Sequence, residues 1–241
     1  MDKEEKIIQT GNEFQLAYEL AKKDYDYEEI MINLVGTDNI KKHISIINLK
    51  SIRNERDAKI LVSNMINEEG IIRESVANKV SELIKDNRYK EYFQSEEIIE
   101  VIIKAINDMN PNVSRIVSGF LDKFEEQGII LNRLIEKGLK VSKDLEEYKK
   151  NDRKEKSYKK NKKQFELYWS LEGIANLRIG DIGEDLKELL RYGSLYEDYT
   201  IREKVAKIIT KIEEERRDKD IKEIENKLRQ DNNFYVKRYI K

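Results

Sequence analysis

Histidine 43 is the only imidazole in the chain and cysteine is absent. A Ser-His-Asp triad or an imidazole-bound metal would therefore depend on His43 alone, and thiolate ligands, disulfides and a cysteine nucleophile are excluded. His43 lies inside a candidate helix and reads as a partly buried or surface residue. Carboxylates are abundant, so neighbours such as Glu68 with Glu69, or Glu96 with Glu97, arise without implying acid/base work. A general acid/base pair needs one carboxylate desolvated beside one exposed, and no acid sits inside an apolar run that would desolvate it. "LRIGDIGEDL", from Leu177, places two glycines before a helix. Its spacing fits no nucleotide fingerprint, and Asp181, Glu184 and Asp185 would repel phosphate. It reads as a turn whose acids favour a helix N-terminus. No catalytic, metal or cofactor residue is assigned, and no cofactor is expected.

One segment has a chemistry of charge alone. Between Tyr148 and Gln164 lie Lys149, Lys150, Arg153, Lys154, Lys156, Lys159, Lys160, Lys162 and Lys163, with Asp152 and Glu155 as the only acids. Without an apolar stripe it is expected to be a flexible insert or a solvated helical extension, at about 149–163. Its alternative role is contact with an anion or nucleic acid, with Tyr148 and Tyr158 available to stack on bases. The mixed-charge stretches "KKDYDYEEI" and "RRDKDIKEIENKLRQ" read as solvated helix faces.

The elements that carry these residues follow from composition and period. Of 241 residues, 39% are charged and 39% hydrophobic, with one proline and ten glycines. That balance suits a helical protein with much surface per unit of core. Lys and Arg number 47 against 48 for Asp and Glu, a net charge of −1, which does not suit a chain that coats duplex DNA. "MDKEEKIIQTG" has no signal-peptide core and no apolar run reaches about 18 residues. A cytoplasmic protein without membrane insertion is expected.

Apolar residues recur at steps of three and four in Ile72, Val76, Val80, Leu83 and Ile84. The same frame fits Val113, Val117, Phe120, Leu121 and Phe124, and again Ile201, Val205, Ile208, Ile209 and Ile212. Ile40, Ile44, Ile47 and Ile52 offer an earlier copy interrupted by Asn48, and Val236 and Ile240 open a last one. "DAKILVSNMIN", "SEEIIEVIIKAIND", "GEDLKELLRYG" and "DKDIKEIENKLRQ" supply a partner helix before the later frames. From Ile40 onward the starts are spaced by 32, 41, 88 and 35 residues, so 88 accommodates two units. The extra unit uses Gln127–Tyr148 and Gln164–Leu177 as its helices. Antiparallel helical hairpins are expected throughout. At the end, either Phe234, Tyr235, Tyr239 and Ile240 are buried by local packing or a partner, or the chain is a fragment of a longer array; local burial is the reading taken.

This pattern resembles HEAT repeats over most of Tyr27 to Lys241. The resemblance implies an all-α, right-handed α-solenoid of antiparallel helix pairs, an armadillo-like α-α superhelix of about five to six repeats in one domain, 1–241. It implies that basic residues at the start of each second helix are structural inter-repeat contacts: Lys41, Arg73, Arg202 and Lys237, matched by turn residues Asp38, Glu69, Asp198 and Asp231. The third unit departs, with Ser114 in that slot and Arg115 beside it. By the same resemblance the second helices line a concave face that binds a protein partner, through Glu74, Asn78, Ser81, Arg115, Asp122, Lys207 and Lys211. The expected function is a non-enzymatic scaffold. The alternative is a nucleic-acid-binding HEAT-like protein, or a repair enzyme similar to the alkylpurine DNA glycosylases. Those enzymes line a basic face with tryptophans and a catalytic aspartate. Here Trp169 is the sole tryptophan, is followed by Glu172, and lies with Phe165, Tyr168 and Leu171 as a packing residue.

Overall fold

The computed structural model describes Lys23, residues 25–150 and residues 157–240. Among them are twelve α-helices and no strand. The chain divides into two compact units, Met1–Ala105 and Ile106–Lys241. The first contains α1 (Tyr27–Val35), α2 (Asn39–Asn48), α3 (Glu55–Ser63), α4 (Gly70–Leu83) and α5 (Glu96–Ala105). The second contains α6 (Pro111–Ser118), α7 (Gln127–Lys150), α8 (Ser157–Ala175), α9 (Glu184–Ser194), α10 (Tyr199–Ile209), α11 (Lys219–Arg229) and the short α12 (Phe234–Lys237).

Helix starts are set by short polar side chains. Asp38, Asn110, Asp198 and Asn233 precede α2, α6, α10 and α12, and each accepts a hydrogen bond from the N–H two residues on. This satisfies a donor the helix itself leaves unpaired. The single proline, Pro111, opens α6, where its missing N–H costs nothing.

Within the first unit α1 packs on α2 and α3, α2 on α4, and α3 on α4 and α5. Within the second, α7 packs on α8 and α9, α9 on α10 and α11, and α11 on α12. The intervening helices make their own row: α6 packs on α8, α8 on α10, and α10 on α12. Ile72, Val76, Val80, Val113, Val117, Ile201, Val205, Ile208 and Ile209 are all buried. Each such side chain stabilises the fold by roughly 1.5–3 kcal/mol relative to exposure.

Three local expectations are corrected. Ile47 is 59% exposed, and Ile46 and Leu49 are buried in its place. Asn48 ends α2 and its side-chain amide donates to the Ile44 carbonyl, so the chain turns before the frame completes. Helix α6 stops at Ser118, and Phe120, Leu121 and Phe124 are buried from the turn that follows. At the end of the chain Val236 and Ile240 are buried, whereas Phe234 is 71% and Tyr235 49% exposed. Tyr235 stacks on Tyr199 with ring centroids 6.0 Å apart instead of entering the core.

The basic run is divided. Helix α7 continues through Lys149 and Lys150, and α8 carries Lys159, Lys160, Lys162 and Lys163. Arg153, Lys154 and Lys156 lie outside the described residues, as do the opening residues 1–22.

Gly193 and Gly138 are among the places where helices approach closely. A Cβ on Gly193 would stand 2.6 Å from Val205 Cγ2, and one on Gly138 2.8 Å from Leu189 Cδ2. Both contacts are shorter than packed carbons allow, so glycine permits α9 to nest against α10 and α7. Gly193→Ala is expected to lower stability by about 1–2 kcal/mol, overpacking outweighing the better helix propensity of alanine. Urea unfolding checks this; a stabilised variant would mean the α9–α10 contact yields freely.

Candidate functional site

The second unit brings α8 and α10 side by side, and the groove between them collects aromatic and charged side chains. On α8 the steps from Asn161 to Phe165, Tyr168 and Glu172, and to Asn176 just past the helix end, keep one stripe. On α10 the matching stripe is Thr200, Lys204, Lys207 and, just past the helix end, Lys211. Asn161, Gln164, Phe165, Tyr168, Trp169 and Thr200 line a slot of about 330 Å³.

Three rings shape that slot. Trp169 meets Phe165 at 6.0 Å and 71°, and Tyr168 at 5.1 Å and 87°, both edge-to-face arrangements favoured by ring quadrupoles. Trp169 is 8% exposed, and its indole N–H is buried without an acceptor. The Lys204 ammonium lies 4.9 Å from the Tyr168 ring centre.

Beside the rings, Glu172 joins two cations. Lys204 Nζ lies 3.0 Å from its Oε2 and Lys207 Nζ 2.7 Å from its Oε1. Lys207 also donates to Asn176 Oδ1 at 3.3 Å, and the Asn176 amide donates to the Ser118 carbonyl at 3.2 Å. Burial alone would raise the Glu172 carboxyl pKa; the hydrogen bond from Lys207 and the charge of Lys204 overcome it and hold the group below its usual value. Lys211 reaches the surface, yet partial desolvation lowers its pKa, and the charge of Lys207 lowers it further.

Two acids are nonetheless withdrawn from water by tertiary packing: Glu172, and Asp57, which accepts the Tyr27 hydroxyl at 2.5 Å. In neither case does a run of apolar neighbours cause the burial. The covering helix comes from elsewhere in the chain.

Of the residues singled out from the sequence for partner contact, Lys207 and Lys211 fall on this groove. Asp122 acts on Lys211 electrostatically and pairs with Lys123 at 2.8 Å. Arg115 is exposed on α6 and donates to Asn112 Oδ1 at 2.8 Å. Glu74, Asn78 and Ser81 lie on α4 in the first unit, with Asn78 exposed. Lys204 has no part in the sequence reading, and Glu172 and Tyr168 enter it only as neighbours of Trp169. The 204, 207, 211 spacing of lysines was the available signal, but Lys204 adjoins the apolar Val205 and reads as a flank of the buried face. In the basic segment Lys160 pairs with Glu197 at 2.7 Å, and Lys163 with Asp144 and Glu166 at 3.0 Å each, while Lys159 and Lys162 are exposed.

The cations at the helix starts have a different setting. Arg202 donates to Asp231 Oδ2 at 2.6 Å and Oδ1 at 3.2 Å, and to the carbonyls of Tyr196 and Glu197 at 2.7 and 2.8 Å. Arg73 donates to the carbonyls of Asn67 and Glu68, each at 2.9 Å. Ser114 reaches the Asp108 carbonyl at 3.1 Å, the same six-residue step that takes Arg73 to Asn67 and Arg202 to Tyr196. Lys41 is half-buried in the first turn of α2, and Lys237 closes α12; burial would raise the Asp231 pKa, but the Arg202 hydrogen bond and the Asn233 N–H lower it, with a smaller part from the charge of Lys237. His43 is half-buried and shares a hydrogen bond with Ser75 through Nδ1 at 2.9 Å; burial lowers its pKa. Among the described residues no cluster of His, Cys, Asp and Glu is suited to a metal ion, and no helix is long and apolar enough to cross a membrane.

No protein-family model matches the chain, and no curated protein matches it in sequence. Among solved structures it is similar to the crystal structure of an engineered protein from the Northeast Structural Genomics Consortium. The identity is 12% and the TM-score 0.50, over 90% of this chain and 96% of that one. At that identity the likeness concerns the course of the backbone and not the side chains of the groove.

Proposed function

We propose that the chain is a non-enzymatic, HEAT-like α-solenoid that binds a protein partner through its second helices, among them α4 in the first unit and α8 and α10 in the second. The observation that carries the reading is the turn contact repeated at a six-residue step by Arg73, Ser114 and Arg202. One device recurring in units of otherwise different sequence is what a repeat array requires, because each unit must satisfy the same exposed turn carbonyls. The packing of alternate helices in each unit, α2 on α4 and α8 on α10, supports it further. A protein partner is favoured over nucleic acid because the net charge is −1 and many of the lysines are already paired with carboxylates.

Crosslinking of a captured partner, read by mass spectrometry, tests the proposal. Links should concentrate on α4, α8 and α10, and the complex should persist between about 50 and 200 mM salt. A loss of roughly 10³-fold or more over that interval would mark phosphate-driven binding instead. Links confined to α3, α7 and α9 would refute the assigned helices.

A further inference from the structure

We infer that the α8–α10 groove takes an acidic peptide segment that inserts one aromatic side chain among Phe165, Tyr168 and Trp169. This rests on the protein-binding reading above and names the chemistry of the partner.

The slot volume, about 330 Å³, lies at the low end for ligand pockets and suits one large side chain better than a cofactor. Its walls offer ring faces and edges to a further ring, the kind of anchor that dominates protein interfaces. Its rim is polar: the Thr200 hydroxyl and the Gln164 amide donate to Asp198 and keep their oxygens as acceptors, and the exposed Asn161 amide can both donate to and accept from a peptide main chain. Trp169 lines the slot with the face and edge of its ring, while its N–H is turned into the protein and is not reached from the slot.

Charge sets the composition of the flanks. Lys204, Lys207 and Lys211 share one face, and Glu172 is the carboxylate bonded to the first two. Lys211 is exposed, and its ammonium makes no hydrogen bond or ion pair among the described residues. Three lysines against one carboxylate leave positive charge over on this stripe, which starts beside the rings at Lys204 and reaches the surface at Lys211. A carboxylate near the inserted ring would meet it. A strand of phosphates fits less well. Gln164 also borders a neighbouring depression lined by Glu197 and Asp198, so a polyanion extending past the slot meets negative charge. A segment with one or two carboxylates on the lysine side avoids that repulsion.

Trp169 is the only tryptophan, so its fluorescence reports the slot directly. The probes are a short acidic peptide with a central phenylalanine, the same peptide with a central alanine, and a short oligothymidylate. The phenylalanine peptide should produce a saturable change in Trp169 emission, with the alanine peptide at least about tenfold weaker. Lys211→Glu, at an exposed and unpaired position, should weaken the phenylalanine peptide by about tenfold without changing the thermal melt. Equal binding of both peptides, no response to either, or indifference to Lys211→Glu overturns the inference. Tighter binding of oligothymidylate overturns it in favour of a nucleobase. If the peptides fail while crosslinks to a captured protein still fall on α4, α8 and α10, the slot assignment is lost and the scaffold reading survives.

Discussion

Arg202→Ala is expected to cost about 3 kcal/mol of folding stability, whereas a cation held for a ligand could be removed with little effect. The guanidinium makes a two-point contact with Asp231 and bonds two turn carbonyls. The Asp231 side chain is only 9% exposed, so the substitution leaves its carboxylate with the Asn233 N–H alone and removes the donor to the part-buried Tyr196 carbonyl. Losses of that kind run from about 1–3 kcal/mol for an orphaned acceptor to about 3–5 kcal/mol for a buried ion pair. At about 2–4 °C per kcal/mol for a chain of this size, the melting temperature should fall by roughly 6–12 °C. Arg202→Lys should recover only part, since an ammonium cannot reproduce the planar fork. Arg73→Ala should lose about 1–3 kcal/mol through the carbonyls of Asn67 and Glu68. Melts unchanged by both alanine substitutions would free these arginines for a ligand.

The second large effect is expected at Glu172. Glu172→Ala leaves Lys204, 9% exposed, with its ammonium beside the Tyr168 ring and no carboxylate to balance it. A loss of about 3 kcal/mol follows, at the lower edge of the range for breaking a buried pair because Lys207 can turn to solvent. Lys204→Met in the same chain should restore much of it, since the stranded charge is then gone; urea unfolding of the single and double variants separates the two terms. The pH dependence has a definite sign. The folded-state pKa of Glu172 is lowered, so its contribution is fully present above the unfolded value and is lost as pH falls through the folded one. Wild-type stability should therefore fall below about pH 4, the unfolded carboxyl value, more steeply than that of Glu172→Gln. Identical acid limbs for the two proteins would show that Glu172 titrates as an ordinary surface acid.

Much of the helical skeleton could be read from the chain because period and caps are local properties. Ile72, Val76 and Val80 share a face by spacing alone, and Asp198 before Thr200 announces a helix start from a backbone N–H two residues away. The link between Arg202 and a turn could be anticipated for the same reason, since a repeated slot is visible as a repeat. Where the helical frame was misjudged, the cause was again local. Asn48 and Gly119 end helices that an apolar frame alone would continue.

The groove lay outside that reach. Glu172 and Lys204 are 32 residues apart, and neither has a sequence neighbourhood that signals a buried ion pair. Only the packing of α8 on α10 excludes water from both and sets the lysine over Tyr168. Phe234 and Tyr235 make the opposite case: aromatic composition pointed inward, yet Val236 and Ile240 occupy the core and leave those rings at the surface. Hydrophobic spacing determines which face of a helix can be buried. Which neighbour covers it, and which charge is trapped beneath that neighbour, depends on close packing between segments distant in the chain, and so was decided by the tertiary structure alone.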